Sequence, residues 1–166
     1  MDIDTFKATI AQNMLLDASR YTVRISGPIG ALTKEQGLMC SGVVLPGRGF
    51  GTADKYTHGP IRKVPYAEIY DDISTTFYLT EKMDVHEYFN KWQTLIGGDD
   101  YYIAYYHDFI GSVIIEVENK RDETQAVYEL FEAYPVSMTP IELGYALGGR
   151  VTEFTVNWSY HHFEKK

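Results

Sequence analysis

Val151-Thr152-Glu153-Phe154-Thr155-Val156-Asn157-Trp158-Ser159-Tyr160-His161 is the stretch from which the fold of this chain is read. Phe154, Val156, Trp158 and Tyr160 alternate with Glu153, Thr155, Asn157, Ser159 and His161. Successive side chains of a strand point to opposite faces, so this is a half-buried β-strand with one apolar side. At about 3.3 Å per residue it would reach roughly 35 Å, longer than the usual strand of about 5–6 residues. A strand of that length needs long neighbours on both edges, because a bare edge pairs with whatever it meets. The expectation is a sheet completed between subunits.

The preceding segments carry the same period. Tyr21 to Ile25 alternates and predicts a first strand, and Leu38 to Leu45 a second. Ile73, Thr75, Phe77 and Leu79 share one face of a further strand. Ser112 to Glu118 and Ala126 to Tyr134, joined by the polar turn Asn119 to Asp122, predict a hairpin that Pro135 stops. Residues 46–66 hold Gly47, Gly49 and Gly51 and predict an exposed loop or hairpin. Pro65 cannot donate to a ladder, so its strand is an edge or carries a bulge.

One helix is expected over residues 84–96. Asp84 reads as its N-cap, with Glu87 completing a capping box and Met83 stapling onto Tyr88. Val85, Tyr88, Phe89, Trp92, Leu95 and Ile96 form its apolar stripe, and Gly97-Gly98 end it. Residues 1–20 fit either a helix striped by Phe6, Ile10 and Met14 or an extended arm. The sum is one mainly β domain over residues 1–166. Its expected architecture is an antiparallel sandwich or barrel with one flanking helix.

Of the 166 residues, 45% are hydrophobic and 23% charged, which suits one domain with a real core. The 14 tyrosines fit pleated, partly wet surfaces and interfaces. A net charge of −8 argues against gripping nucleic acid, since phosphates are repelled. The single cysteine, Cys40, excludes an internal disulfide and a cysteine-based metal site. The sequence has no apolar run long enough to span a membrane, and the acidic opening lacks a signal-peptide pattern, so a cytoplasmic origin is expected.

Catalytic patterns are weak. His86-Glu87 has Asn90 where a zinc-protease helix needs its second histidine. His107-Asp108 is a histidine–carboxylate pair without a nucleophile motif. His161 and His162 are strand neighbours whose side chains should diverge. The three glycines after Pro46 have neither dinucleotide nor phosphate-loop spacing. No enzyme, metal or cofactor is expected. A small ligand-binding barrel around His107-Asp108 is the competing reading.

Against that background the order of elements becomes informative. Tyr88-Phe89-Asn90-Lys91-Trp92 on the helix, then Val127 to Tyr134-Pro135 with Ser137 and Ile141-Glu142-Leu143 behind, then Glu153 to Tyr160 follow one another. This arrangement resembles the tail tube proteins of contractile-tailed bacteriophages over nearly the whole chain. The resemblance implies a subunit of homohexameric rings that complete a shared β-barrel and stack into a tube. Sheath, baseplate and tail-terminator proteins would be its partners. DNA would pass through the lumen unbound, and the tube would sit in a virion tail assembled in the host cytoplasm. A related inner tube or tube initiator of an injection or secretion particle shares the pattern. On this reading Phe6, Phe50, Tyr56, Arg48 and His161 are candidate contacts between subunits or rings. Glu116, Glu118, Glu129, Glu132 and Glu153 are candidate lumen charges that would keep phosphates from sticking.

Overall fold

A computed structural model describes residues 2–7, 16–56, 59–98, 102–145 and 148–166. Two antiparallel sheets pack face to face and share one long strand. The first holds β2 (Gly30–Ala31), β1 (Tyr21–Gly27), β7 (Gly111–Glu118), the first half of β8 (Thr124–Met138) and β10 (His162–Lys165). The second holds the last part of β8, β9 (Glu153–Ser159), β6 (Ile73–Tyr78) and β3 (Cys40–Val43), in that order. A separate two-stranded ladder joins β4 (Arg48–Lys55) to β5 (Arg62–Tyr70). The helices are α1 (Lys34–Gly37), α2 (Asp84–Gly97) and α3 (Tyr106–Phe109), and residues 3–7 form a further helical turn. The sandwich is open rather than closed into a barrel within one chain.

β8 passes from one sheet to the other by bending, and Pro135 does not stop it. Leu130 faces Val113 while Ala133 faces Gly111, so β8 carries one extra residue there. Glu132 takes a left-handed conformation at φ 55° within this bulge. Beyond Ala133 the chain leaves β7 and pairs with β9, Tyr134 opposite Ser159 and Pro135 opposite Trp158. Pro135 is tolerated because β7 has ended, leaving β8 an edge on that side.

The final strand is also corrected. β9 ends at Ser159, and its neighbours β8 and β6 both belong to the same chain. Tyr160 breaks the run, its hydroxyl donating to the Asp71 carbonyl at 2.8 Å. The chain then resumes as β10 along the first half of β8. The apolar face is as expected: Phe154, Val156, Trp158 and Tyr160 are all buried.

The core lies between the sheets and under α2. Val23, Ile25, Val113, Ile115 and Leu130 face Ile73, Phe77, Phe154, Val156 and Trp158. Val85, Phe89 and Trp92 bring the buried side of α2 into the same cluster. The rings of Trp92 and Trp158 meet edge-on at 5.6 Å, and Phe89 meets Trp158 at 5.7 Å. Each indole N–H finds an acceptor: Trp92 donates to the Phe109 carbonyl at 2.7 Å, Trp158 to Thr75 Oγ1 at 2.8 Å. Thr75 is thereby a buried polar residue that is satisfied. Gly27 and Gly111 lie against the Trp92 ring, where an added Cβ would come within 2.6 and 2.8 Å of it.

The start of α2 differs from expectation. Met83, not Asp84, occupies the capping position, at φ 54°, and α2 has no side-chain cap bond. A turn places the Met83 amide on the Thr80 carbonyl at 3.0 Å, so Asp84 already lies in the first helical turn. Its carboxylate there still suits the positive end of the helix. Glu87 instead pairs with Lys91 at 2.8 Å. A true capping box forms at α1, where Thr33 and Gln36 exchange side-chain and backbone bonds. Ile10, Met14 and Tyr101 lie outside the described residues.

Candidate assembly surfaces

The hairpin β4–β5 forms a ladder separate from the two sheets of the sandwich. Its strands pair from Arg48 opposite Tyr70 out to Lys55 opposite Arg62. Gly51 faces Ala67 and Thr52 faces Pro65, so Tyr66 is the extra residue of a bulge, beside the proline as expected. Nearly every residue is exposed: Phe50 at 56%, Tyr66 at 73%, and Tyr56 just past β4 at 76%. A two-stranded hairpin gains little from its own ladder and is marginal alone. Its base is therefore held by the body. Tyr70 packs edge-on against Phe163 of β10 at 5.7 Å and tilts against Tyr160 at 6.1 Å. The Arg48 guanidinium lies over both rings, 5.9 Å from Tyr70 and 5.6 Å from Phe163. Glu68 lies 3.8 Å from Arg48 and accepts the Tyr70 hydroxyl at 2.6 Å. That bond holds the Tyr70 phenol above its ordinary range.

Two more stretches expose apolar side chains. Phe6 and Ile3 stand out on the first helical turn, and Tyr102, Ile103 and Tyr105 precede α3. Sequence reading selected Phe6 but not the second stretch, because aromatic residues without a period carry no facing information. His161 sits in the break between β9 and β10, where its ring meets that of His162 edge-on at 5.2 Å. The two rings converge because the chain is not extended there. His162 in turn stacks on Phe131 at 4.8 Å.

The five candidate lumen charges are not gathered on one surface. Glu116, Glu118 and Glu129 lie on the outer face of the first sheet, since Val113, Ile115, Val117 and Leu130 take the inner positions. There Glu116 pairs with Arg24 at 3.1 Å, Glu129 with Lys166 at 2.6 Å, and Glu118 accepts the Thr22 hydroxyl at 3.3 Å. Glu132 stands at the β8 bulge and accepts the Tyr106 hydroxyl at 2.9 Å. Burial and Glu132 together push the Tyr106 phenol up to about 12. Glu153 begins β9 and belongs to the outer face of the second sheet.

The two sheets also differ at their edges. In the first, β1 is flanked by β2 and α1, and β10 by the hairpin base. In the second, β3 and the last part of β8 have no backbone partner on their outer sides among the described residues. The Tyr21 hydroxyl reaches β3, donating to the Cys40 carbonyl at 3.1 Å. Val44, Leu45 and Val136 stand exposed beside these edges.

His107 and Asp108 lie exposed on α3, and no cluster of three or more metal-ligating side chains occurs among the described residues. Cys40 is half-buried and burial pushes its thiol up to about 11.

The sequence pattern of the phage tail tube proteins matches residues 5–166. The chain belongs to that family. Tail tube proteins are structural, so this chain is a tube protein and not an enzyme. No curated protein matches it in sequence. Among solved structures, a chain of the anti-feeding prophage baseplate shares the fold at a TM-score of 0.71 and 10% identity, covering 93% of this chain and 97% of that one. A chain of the PVC sheath-tube complex, an extracellular contractile injection system, gives 0.68 and 13%, with 96% of each covered. The Hcp1 protein of E. coli gives 0.50 and 11%, covering 90% of this chain and 99% of Hcp1.

Proposed function

We propose that this tail tube protein closes head to tail into rings of six, and that the rings stack into the tube of a contractile tail. The observation that carries the reading is the second sheet. β8, β9, β6 and β3 alternate in direction, and among the described residues both outer strands have no backbone partner on their outer sides. With four alternating strands, β3 of one copy runs antiparallel to β8 of the next, so a single repeated contact extends the sheet. A head-to-tail contact whose rotation closes makes a ring, and a closed sheet has no bare edge. The hairpin and the helical turn at residues 3–7 expose apolar side chains and suit contacts between rings. Phe50, Tyr56 and Phe6 are their apolar anchors. Sheath, baseplate and terminator proteins are the expected partners, and DNA the expected cargo of the lumen in a virion.

A second reading keeps the fold and changes the particle. The similar folds in the anti-feeding prophage baseplate and the PVC sheath-tube complex favour an inner tube of an injection particle. The genes beside this one separate the two, since a phage tail travels with capsid genes.

Negative-stain electron microscopy across a range of concentrations tests the ring. Rings or tubes are expected from the unaltered chain and not from Val136→Lys, which puts a charge on the open edge of β8. Single particles from the unaltered chain at every concentration, even beside preformed baseplates, would sink the reading.

A further inference from the structure

We infer that the lumen of this tube is lined mainly by an uncharged net of hydroxyls and amides, with Glu153 the single carboxylate that β6 and β9 of each subunit add to it. The inference rests on the ring proposed above. If the second sheet runs from subunit to subunit, the first sheet and α2 cover one of its faces. Those layers need the larger circumference and so lie outside. The bare face of the second sheet then looks at the axis.

That face has a distinctive chemistry. Ser74, Thr76 and Tyr78 of β6 and Thr155, Asn157 and Ser159 of β9 alternate with the buried positions of those strands. Their groups bond across strands: Thr76 Oγ1 lies 3.0 Å from Thr155 Oγ1, and Asn157 donates to Ser137 Oγ at 2.9 Å. The Thr155 amide donates to Thr139 Oγ1 at 2.9 Å, and Ser41 donates to the Thr76 carbonyl at 3.4 Å. The net runs over β3, β6, β9 and β8 without an ionised group. Glu153 stands at its end, lining with Glu142 and Arg150 a cleft of about 390 Å³. Glu116, Glu118 and Glu129 belong to the opposite, outward side of the sandwich.

The arrangement has a physical consequence. Hydroxyls and amides already bonded to one another hold water without a fixed charge, so they neither attract nor repel a polyanion. Movement along such a wall does not depend on screening, whereas movement along a carboxylate wall does. The cargo this lining suits is a hydrated polymer whose charge the wall ignores.

Single cysteines in a Cys40→Ser background test the placement. Tubes carrying Thr155→Cys, Ser74→Cys or Glu116→Cys are treated with a small maleimide and with one attached to a polymer wider than the lumen. At Thr155→Cys and Ser74→Cys, labelling by the bulky reagent is lost on assembly while the small reagent still reacts. At Glu116→Cys both reagents react. Shielding of Glu116→Cys with Thr155→Cys and Ser74→Cys open would overturn the lining and leave the ring intact. Absence of rings in the Cys40→Ser parent and in the unaltered chain would overturn the ring and the lining with it. Ser74→Cys guards against misfolding at Thr155. In Glu153→Gln tubes, uptake of a short fluorescent oligonucleotide stays level between low and high salt. Uptake that climbs steeply with salt would mean a charged wall and overturn the inference.

Discussion

The sandwich and the hairpin are built from the same antiparallel ladders, but different forces hold them. β9 is flanked by strands on both sides and covered by α2, and its alternate residues are buried. Among the described residues β4 and β5 pair only with each other, and their side chains meet solvent on both faces. Burial stabilises the first region and leaves the second to one aromatic clamp at its base. The difference teaches where selection for folding ends and selection for contact begins. Phe50 and Tyr66 do nothing for the core, so their cost in exposed apolar area is offset only when something covers them.

The largest effect should come from the sandwich. Trp158→Ala removes a fully buried ring that touches both Phe89 and Trp92, and leaves Thr75 Oγ1 without its partner. A loss of about 3–5 kcal/mol in unfolding free energy is expected, measured by chemical denaturation. Next comes overpacking. Gly111→Ala would set a Cβ 2.3 Å from the Ser26 carbonyl and 2.8 Å from the Trp92 ring. About 1–3 kcal/mol should be lost, and the cost of Gly111→Ala should be smaller when measured in a Trp92→Leu background if the indole is the obstacle.

The hairpin should behave in the opposite way. Phe50→Ser with Tyr66→Ser should move unfolding by no more than about 0.5 kcal/mol, the usual range for surface changes. The same pair should abolish stacking of rings under the microscope while single rings persist. A folding defect as large as that of Trp158→Ala would erase the distinction between the regions. Arg48→Ala should lie between them. It removes the cation from over Tyr70 and Phe163, so amide exchange should speed up along β4 and β5 and stay unchanged in β9.

How much of this was legible in the sequence depended on period. The alternation of Phe154, Val156 and Trp158, and the spacing of Val85, Phe89 and Trp92, fix which side is buried whatever lies opposite. Pro65 announced its bulge because a missing N–H is a local fact. Three other features were announced by no period. β8 runs through Pro135 only because β7 stops at Gly111, a matter of register between strands far apart in sequence. Met83 takes the capping place because the turn from Thr80 forces it. The candidate lumen glutamates were scattered for the same reason. Alternation says that Glu116 and Glu153 each face outward from a strand, but not that the two strands belong to opposite sheets.

The smallest effect concerns those two outer faces and separates decoration from support. Arg24 and Glu116 pair at 3.1 Å on the first sheet, with Arg24 largely exposed. An exposed pair in water contributes about 0.2–1 kcal/mol and is screened by salt. A double-mutant cycle of Arg24→Ala and Glu116→Ala should give a coupling in that range at low salt and less at high salt. The second face offers the contrast: Thr76→Val with Thr155→Val removes a neutral contact between facing hydroxyls. Its coupling should not change with salt, because no ion is involved. A coupling at Arg24–Glu116 that holds its value in high salt would mean that the first face is desolvated by something packed on it. The two faces would then have to exchange their assigned places between solvent and assembly.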